Sequence, residues 1–241
     1  MCYQTSLSFD KMALSVAYEI PFDADATWGG VNFESAFTFP ERPVIHHQDA
    51  PHFSMMRWGL IPHWVKDRKQ AAEIRMKTLN AMSETAAEKP SFRMAMKKHP
   101  VVIPVGGFFE NRHEGKSRIP YFVSGKEEKI LSLAGIADEW MNPETGMSEH
   151  TFSILTCEAK GIMSFVHNSK NRSPVILQPG AWHEWLNTDI DYQDRLKYAA
   201  EPDEILQAWK ILPDFNSTKT NKNQEKYLRP YEAPGFTPEL F

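Results

Sequence analysis

Cysteine is nearly absent from this chain, with only Cys2 and Cys157 among 241 residues. Two thiols are too few for a disulfide framework. No apolar run approaches the ~20 residues that a helix needs to cross a bilayer, so no membrane contact is expected. A basic stretch leading into an apolar core is also missing from the opening residues, MCYQTSLSF, so no secretory signal is expected and the protein reads as cytoplasmic. Net positive charge is lacking as well, because 27 Lys/Arg stand against 31 Asp/Glu for a balance of −4. Glycine is modest at 12 residues and proline at 17, which with 41% hydrophobic residues excludes collagen-like, low-complexity and disordered classes. A chain of this length can bury a sizeable core as one large domain or two small ones. With no internal repeat and no linker in view, a single domain over residues 1–241 is expected, residues 228–241 forming an extended, Pro-containing tail.

Charge is unevenly spread. Between Arg57 and Lys98 there are ten Lys/Arg and four Asp/Glu, a local excess of +6 that leaves −10 on the remainder. Such asymmetry fits an anion-facing side on an acidic body, and equally a solvated helix face.

Apolar spacing sets the expected elements. Asp10 is a plausible cap for a helix over 10–18, and a short strand follows at 43–45. A helix is expected over 71–77, a capping box at 85–88, and a further helix from Ser91 to Lys98 after Pro90. From Val101 the chain turns to β-branched and aromatic runs bounded by turn residues, at 101–109, 120–123, 129–137, 151–157 and 173–177. These read as strands of a mostly antiparallel, barrel-like sheet. Short peripheral helices are expected at 181–186, 191–200 and 202–209, and a loop at 216–226. The fold class is α+β.

Cys2 is the most informative single residue. Removal of the initiator methionine would leave an α-amine (reference pKa ~7.7–8.0) and a thiol (~8.5) on adjacent carbons, each with a reactive fraction at neutral pH. Such an aminothiol condenses with an aldehyde to a Schiff base that sulfur closes to a thiazolidine; the thiol alone is also an acylation nucleophile. The plain reading is an ordinary residue in a fraying terminus. Glu110 ends the apolar run VVIPVGGFF, where burial would raise its pKa into the acid–base range, or it is a strand-end glutamate facing water. His167 follows the apolar group IMSFV and is a catalyst or a packed core residue; Asn80 is a site residue or a turn residue. Cys157 lies in a strand and is expected to pack. His46, His47 and His52 lack companion cysteines at zinc spacing, so no metal and no cofactor are expected.

Taken in order, several motifs resemble the SOS response-associated peptidase (SRAP) family of abasic-site processing proteins. They are Met1-Cys2, RWGLIPHW at 57–64, LNAMSET at 79–85, PVGGFFE at 104–110, LAGIADEW at 133–140, FSILT at 152–156, His167, and RSPVIL at 172–177. Each is weak alone; the ordered set spans nearly the whole chain. The resemblance implies a single α+β domain around a barrel-like antiparallel sheet, and covalent capture of abasic sites in single-stranded DNA by a monomer. By the resemblance, Cys2 is the nucleophile, Glu110 moves protons, His167 assists at the sugar-derived oxygen and the Schiff base, and Asn80 orients substrate or terminus. Arg57, Arg93 and Arg172 would hold phosphates, and Trp58 and Trp64 flank a loop where an indole can stack on a base, although Trp58 also suits the core. Self-processing peptidase activity and a lyase side path are further implications. This chain departs from the family pattern at Tyr3-Gln4, where Gly-Arg is usual, at Met82, where arginine is common, and at Ser173, where methionine is commoner. An N-terminal-nucleophile cysteine hydrolase acting on amides, and a non-catalytic nucleic-acid-binding module, remain the competing readings.

Overall fold

The structure is a computed structural model and describes residues 2–47 and 49–231; Met1 and most of the expected C-terminal tail lie outside the described residues. The strands are β1 (Gln4–Leu7), β2 (Val31–Ser35), β3 (Glu41–His46), β4 (His52–Trp58), β5 (Asn80–Met82) and β6 (Pro100–Val105). They continue with β7 (Gly107–Glu114), β8 (Ser117–Gly125), β9 (Leu131–Met141), β10 (Ser148–Glu158), β11 (Arg172–Pro174) and β12 (Leu206–Lys210). Four helices bear on the argument: α1 (Lys11–Tyr18), α2 (Arg68–Arg75), α3 (Arg93–Lys98) and α4 (Gly161–Val166).

Five strands close on themselves. β10 pairs with β9 in a long hairpin and with β4 in parallel; β4 pairs with β3, β3 with β6, and β6 back to β9. Beyond the ring, β5 and β11 add to the far half of β10. A second sheet runs in the order β12-β8-β7-β1-β2. The result is an α+β fold on a barrel-like, mostly antiparallel frame, as the apolar runs imply.

Alternation explains why β6 is buried along its whole length. Val101, Ile103 and Val105 enter the cluster that contains Cys2, Trp58 and Phe108. Val102 faces the other way, into a cluster with Leu14 and Tyr18 of α1 and with Trp182 and Trp185. Both faces are therefore apolar and covered, which gives an unbroken hydrophobic run in place of an alternating one.

The sequence expectations are corrected at several boundaries. The run at 101–109 is two strands in two different sheets, broken at Gly106, whose N–H donates to Ser6 O at 2.7 Å. Residues 202–209 are helical only at Pro202–Ile205 and then form β12, because pairing with β8 overrides local helix preference. The expected helix at 71–77 begins earlier, where Asp67 caps Gln70 N at 2.8 Å. The capping box at 85–88 is a series of turns. Asp10 does cap α1, accepting from Ala13 N at 2.8 Å.

β7 approaches β8 so closely at Gly107 that a Cβ there would lie 2.3 Å from Phe122 Cζ and 2.5 Å from Val123 O. The backbone oxygen cannot yield without opening the sheet. Gly107→Ala is therefore expected to lower stability by about 1–3 kcal/mol, read as a reduced urea midpoint with an unchanged m-value. An unaltered midpoint would contradict this packing.

Candidate functional site

The N-terminal segment reaches the interior because β1 lies antiparallel to β7, with Thr5 opposite Phe108 and Ser6 opposite Gly107. Continued outward, that register carries the chain's beginning to Glu110. Cys2 is fully buried and Tyr3 half-buried there, Ala36 N donating to Tyr3 O at 2.8 Å. Glu110 pairs across to Tyr121 on β8, on the face that also carries Phe108. Its carboxyl group is nearly buried, and burial pushes its pKa up to about 7. Cys2 is pushed up to about 12 by burial and by the Glu110 charge, with Arg42 pulling the other way.

His167 completes the group. It follows α4, and its Nε2 lies 3.8 Å from Glu110 Oε2, too long for a direct hydrogen bond. Its Nδ1 is 2.8 Å from Arg172 O, and a carbonyl only accepts, so Nδ1 carries the proton and Nε2 turns its lone pair toward the carboxyl group. Burial lowers the His167 pKa. At neutral pH the site thus pairs a neutral imidazole with a carboxyl group near its own midpoint, beside a thiol that does not ionise unaided.

Residues flanking the pair hold it in place. Arg112 donates to Phe165 O and its guanidinium lies 4.0 Å from the Phe165 ring centre. His113 N donates to Asn168 Oδ1 and Asn168 Nδ2 to His113 O, both at 2.9 Å. These contacts tie the strand just past Glu110 to residues on either side of His167. Arg42, wholly buried, donates to Thr5 Oγ1 and Pro104 O at 2.6 Å each and lies 3.4 Å from Glu34. None of these positioning residues stands out in the sequence, since each acts on a partner far along the chain.

Asn80 opens β5 opposite Ile154. Both of its amide atoms are buried and without a hydrogen-bond partner among the described residues. The residue lines a cavity of about 340 Å³ shared with Lys77, Met82 and Lys89. Among the described residues Lys77, Lys89 and Arg93 form no ion pair, so part of the local positive excess is uncommitted there.

The other expected contacts separate. Trp58 is fully buried and donates to Leu79 O at 2.7 Å, so it offers no ring face to a base; its assignment to DNA contact is corrected to a packing role. Trp64 is 40% exposed, in a loop fixed by Asp138, whose Oδ2 accepts from His63 N at 3.0 Å. Arg57 is engaged by Glu41 and by Glu149, the latter at 3.0 Å. Arg172 grips Glu84 with two bonds of 2.7 and 2.8 Å and Thr156 O at 2.6 Å, so its task in this structure is to hold the loop that carries His167. Cys157 is a free thiol, half-buried against the cluster that excludes Cys2.

His46, His47 and His52, set aside on spacing, converge in space. Their rings lie 4.0, 4.4 and 5.0 Å apart, centre to centre. Burial, with His47 and His52 alongside, pulls His46 down to about 3, so that ring is neutral. The signal was the hairpin, which sets His46 opposite His52.

Comparison with known proteins finds several similar chains. Abasic site processing protein YoqW of Bacillus subtilis (strain 168) is 36% identical over 182 residues, which is 74% of this chain and 77% of that protein. Abasic site processing protein HMCES of Gallus gallus is 31% identical over 152 residues, 55% of this chain and 44% of that one. A crystal structure of a protein from Bacteroides thetaiotaomicron superposes with a TM-score of 0.88 at 32% identity, covering 96% of this chain and all of that one. Residues 1–218 match the SOS response associated peptidase (SRAP) family throughout. The chain belongs to the SRAP family.

Proposed function

We propose that this protein processes abasic sites in single-stranded DNA by capturing the sugar aldehyde on Cys2. The observation that carries the reading is the buried grouping of the Cys2 thiol with a carboxyl group near neutrality and a neutral imidazole. Hydrolysis of the Met1–Cys2 peptide bond frees the Cys2 α-amine. A proton delivered to the ring oxygen of the abasic hemiacetal, and one taken from its hydroxyl, open the sugar to the aldehyde. Addition of the neutral amine, donation of one proton by Glu110 and loss of one water give an iminium. Cys2 Sγ then bonds to the iminium carbon while its proton passes to Glu110, closing a five-membered thiazolidine with a neutral ring nitrogen.

Glu110 suits these transfers because its pKa lies near the working pH, where an acid–base group is both available and effective. His167 Nε2 serves the sugar oxygen and exchanges protons with Glu110 through one bridging water. Ring closure consumes the iminium, the species from which β-elimination breaks the strand, so shielding competes with a lyase side path. Asn80 supplies hydrogen bonds to substrate from the cavity it shares with Lys77 and Lys89, and Arg93 and the exposed Trp64 extend the strand path. In this reading the protein is a cytoplasmic monomer.

Mature protein mixed with a single-stranded oligonucleotide bearing one abasic site is expected to give an adduct that survives a denaturing gel. Cys2→Ala should abolish it, and Cys2→Ser should lose the stable ring while retaining amine-dependent cleavage. Amide turnover without an adduct would favour a hydrolase instead.

Glu110 also makes a signed pH prediction. From about 4.5 to about 7 the folded chain holds a proton that the unfolded chain has released, so this group's stabilising contribution declines across that window and stays lost above it. Glu110→Gln is expected to be more stable than the parent at pH 8 by about 1–3 kcal/mol, with the difference shrinking toward pH 5. Its single-turnover adduct rate should fall at saturating DNA and lose the limb near pH 7. Parallel stability curves for the two proteins would rule out a buried acid.

Charge reversal at Lys77 and Lys89 is expected to weaken binding of unmodified single-stranded DNA. Each lysine contributing a phosphate contact should reduce the salt slope by about 0.7. Fluorescence anisotropy at several salt concentrations checks this, and an unchanged slope would move the strand path elsewhere.

A further inference from the structure

We propose that His46, His47 and His52 form a binding site for a divalent transition-metal ion of the zinc and nickel class, separate from the Cys2 site. The hairpin register makes His46 and His52 the terminal pair of β3 and β4. His47 follows in the left-handed region at φ 64°, a conformation that a non-glycine residue rarely adopts, and its ring lies against both of the others. One ligand atom from each imidazole falls within 4.8 Å of the other two. Metal–nitrogen bonds of ~2.0–2.1 Å in a tetrahedron place ligands ~3.4 Å apart, so side-chain rotations of about an ångström close the shell.

The hydrogen bonds around the rings already favour coordination. Ser54 Oγ donates its one proton to Asp23 Oδ2 at 2.5 Å and therefore accepts from His46 Nε2, 2.7 Å away. That leaves the lone pair of His46 on Nδ1. His52 Nδ1 lies 2.9 Å from Ala50 O and must donate to it, which frees Nε2. Ligating histidines characteristically anchor the second ring nitrogen in this way.

The freed Nε2 of His52 stands 3.4 Å from Asp23 Oδ1. Two acceptors facing each other favour a cation between them. Asp23 is itself fixed, since its N–H donates to Phe53 O at 2.9 Å. A cation held by the three imidazoles would have the Asp23 carboxylate nearby, a setting that suits zinc, nickel or copper and disfavours magnesium or calcium. His46 and His47 also line a cavity of about 470 Å³ with Asp49 and His150, which gives an ion a route in.

The cluster is remote from the aminothiol. Arg42, whose charge acts on Cys2, pairs with Met56, and the four residues of strand from that pair to His46 and His52 span about 14 Å. Binding would staple the β3–β4 hairpin without touching Glu110 or His167.

The test uses the full-length chain, stripped with chelator and then equilibrated with zinc. One zinc per chain is expected by elemental analysis after dialysis, with a raised melting temperature. Titration calorimetry should show affinity reduced by about tenfold or more in His47→Ala and in His52→Gln. His183→Ala, which alters an exposed histidine stacked on Trp182 outside that cavity, should bind as the parent does. Because His47 lies in an exposed turn, His47→Ala remains decisive if His52→Gln folds poorly. Failure of the parent chain to retain either zinc or nickel, or equal retention by His47→Ala, would overturn the site. Loss of the ion in His183→Ala would overturn it as well.

Discussion

Two short strands lying antiparallel, β1 against β7, are what the grouping of Cys2, Glu110 and His167 depends on. Only a few residues pair, yet they deliver the start of the chain into the interior and oppose it to the end of an apolar strand. Burial does the rest. It removes water from the Glu110 carboxyl group and from the Cys2 thiol, raises both pKa values and lowers that of His167. A buried acid of this kind is destabilising at neutral pH, and the surrounding frame offsets the cost through a fully apolar β6 and a closed ring of strands.

Contacts outside the chemistry keep the pair from drifting. Arg112 and His113 reach from β7 to the residues around His167, and Arg172 holds the following loop from the other side through Glu84 and Thr156. A carboxyl group and an imidazole held 3.8 Å apart are beyond direct hydrogen-bond reach, so neither is trapped in a short ion pair. Charge is used in two ways: guanidinium groups such as that of Arg172 paired to Glu84 serve as fasteners, while among the described residues Lys77, Lys89 and Arg93 form no ion pair.

Much of this was legible in the residues. The β-branched runs after Val101 announced the barrel; Cys2 stood out because it follows the initiator methionine, and Glu110 and His167 because each ends an apolar segment. What escaped was set by pairing across the chain. β12 looked helical because local preference carries no information about β8, and the break at Gly106 was invisible because both strands beside it are equally apolar. Trp58 and Arg172 sit in motifs that suggest a surface role, but only the fold reveals that Leu79 O and Glu84 claim their donors. The three clustered histidines were overlooked for the same reason: spacing along the chain conceals the register of a hairpin.

β10 is bordered along both sides, by β9 and β11 on one and by β4 and β5 on the other. Phe152 is thereby bound to Trp58, Ile154 to Asn80 and Glu158 to Arg172. Gaining or losing one residue within this strand would turn its side chains to the opposite face and shift all three neighbours together. The site can therefore not be retuned piecemeal through β10; it keeps its alignment as a unit or loses it as a unit. The turn at 142–147, closed by Asn142 N donating to Met147 O at 2.9 Å, lies beyond that constraint, and there the chain can change length while the strand stays in step.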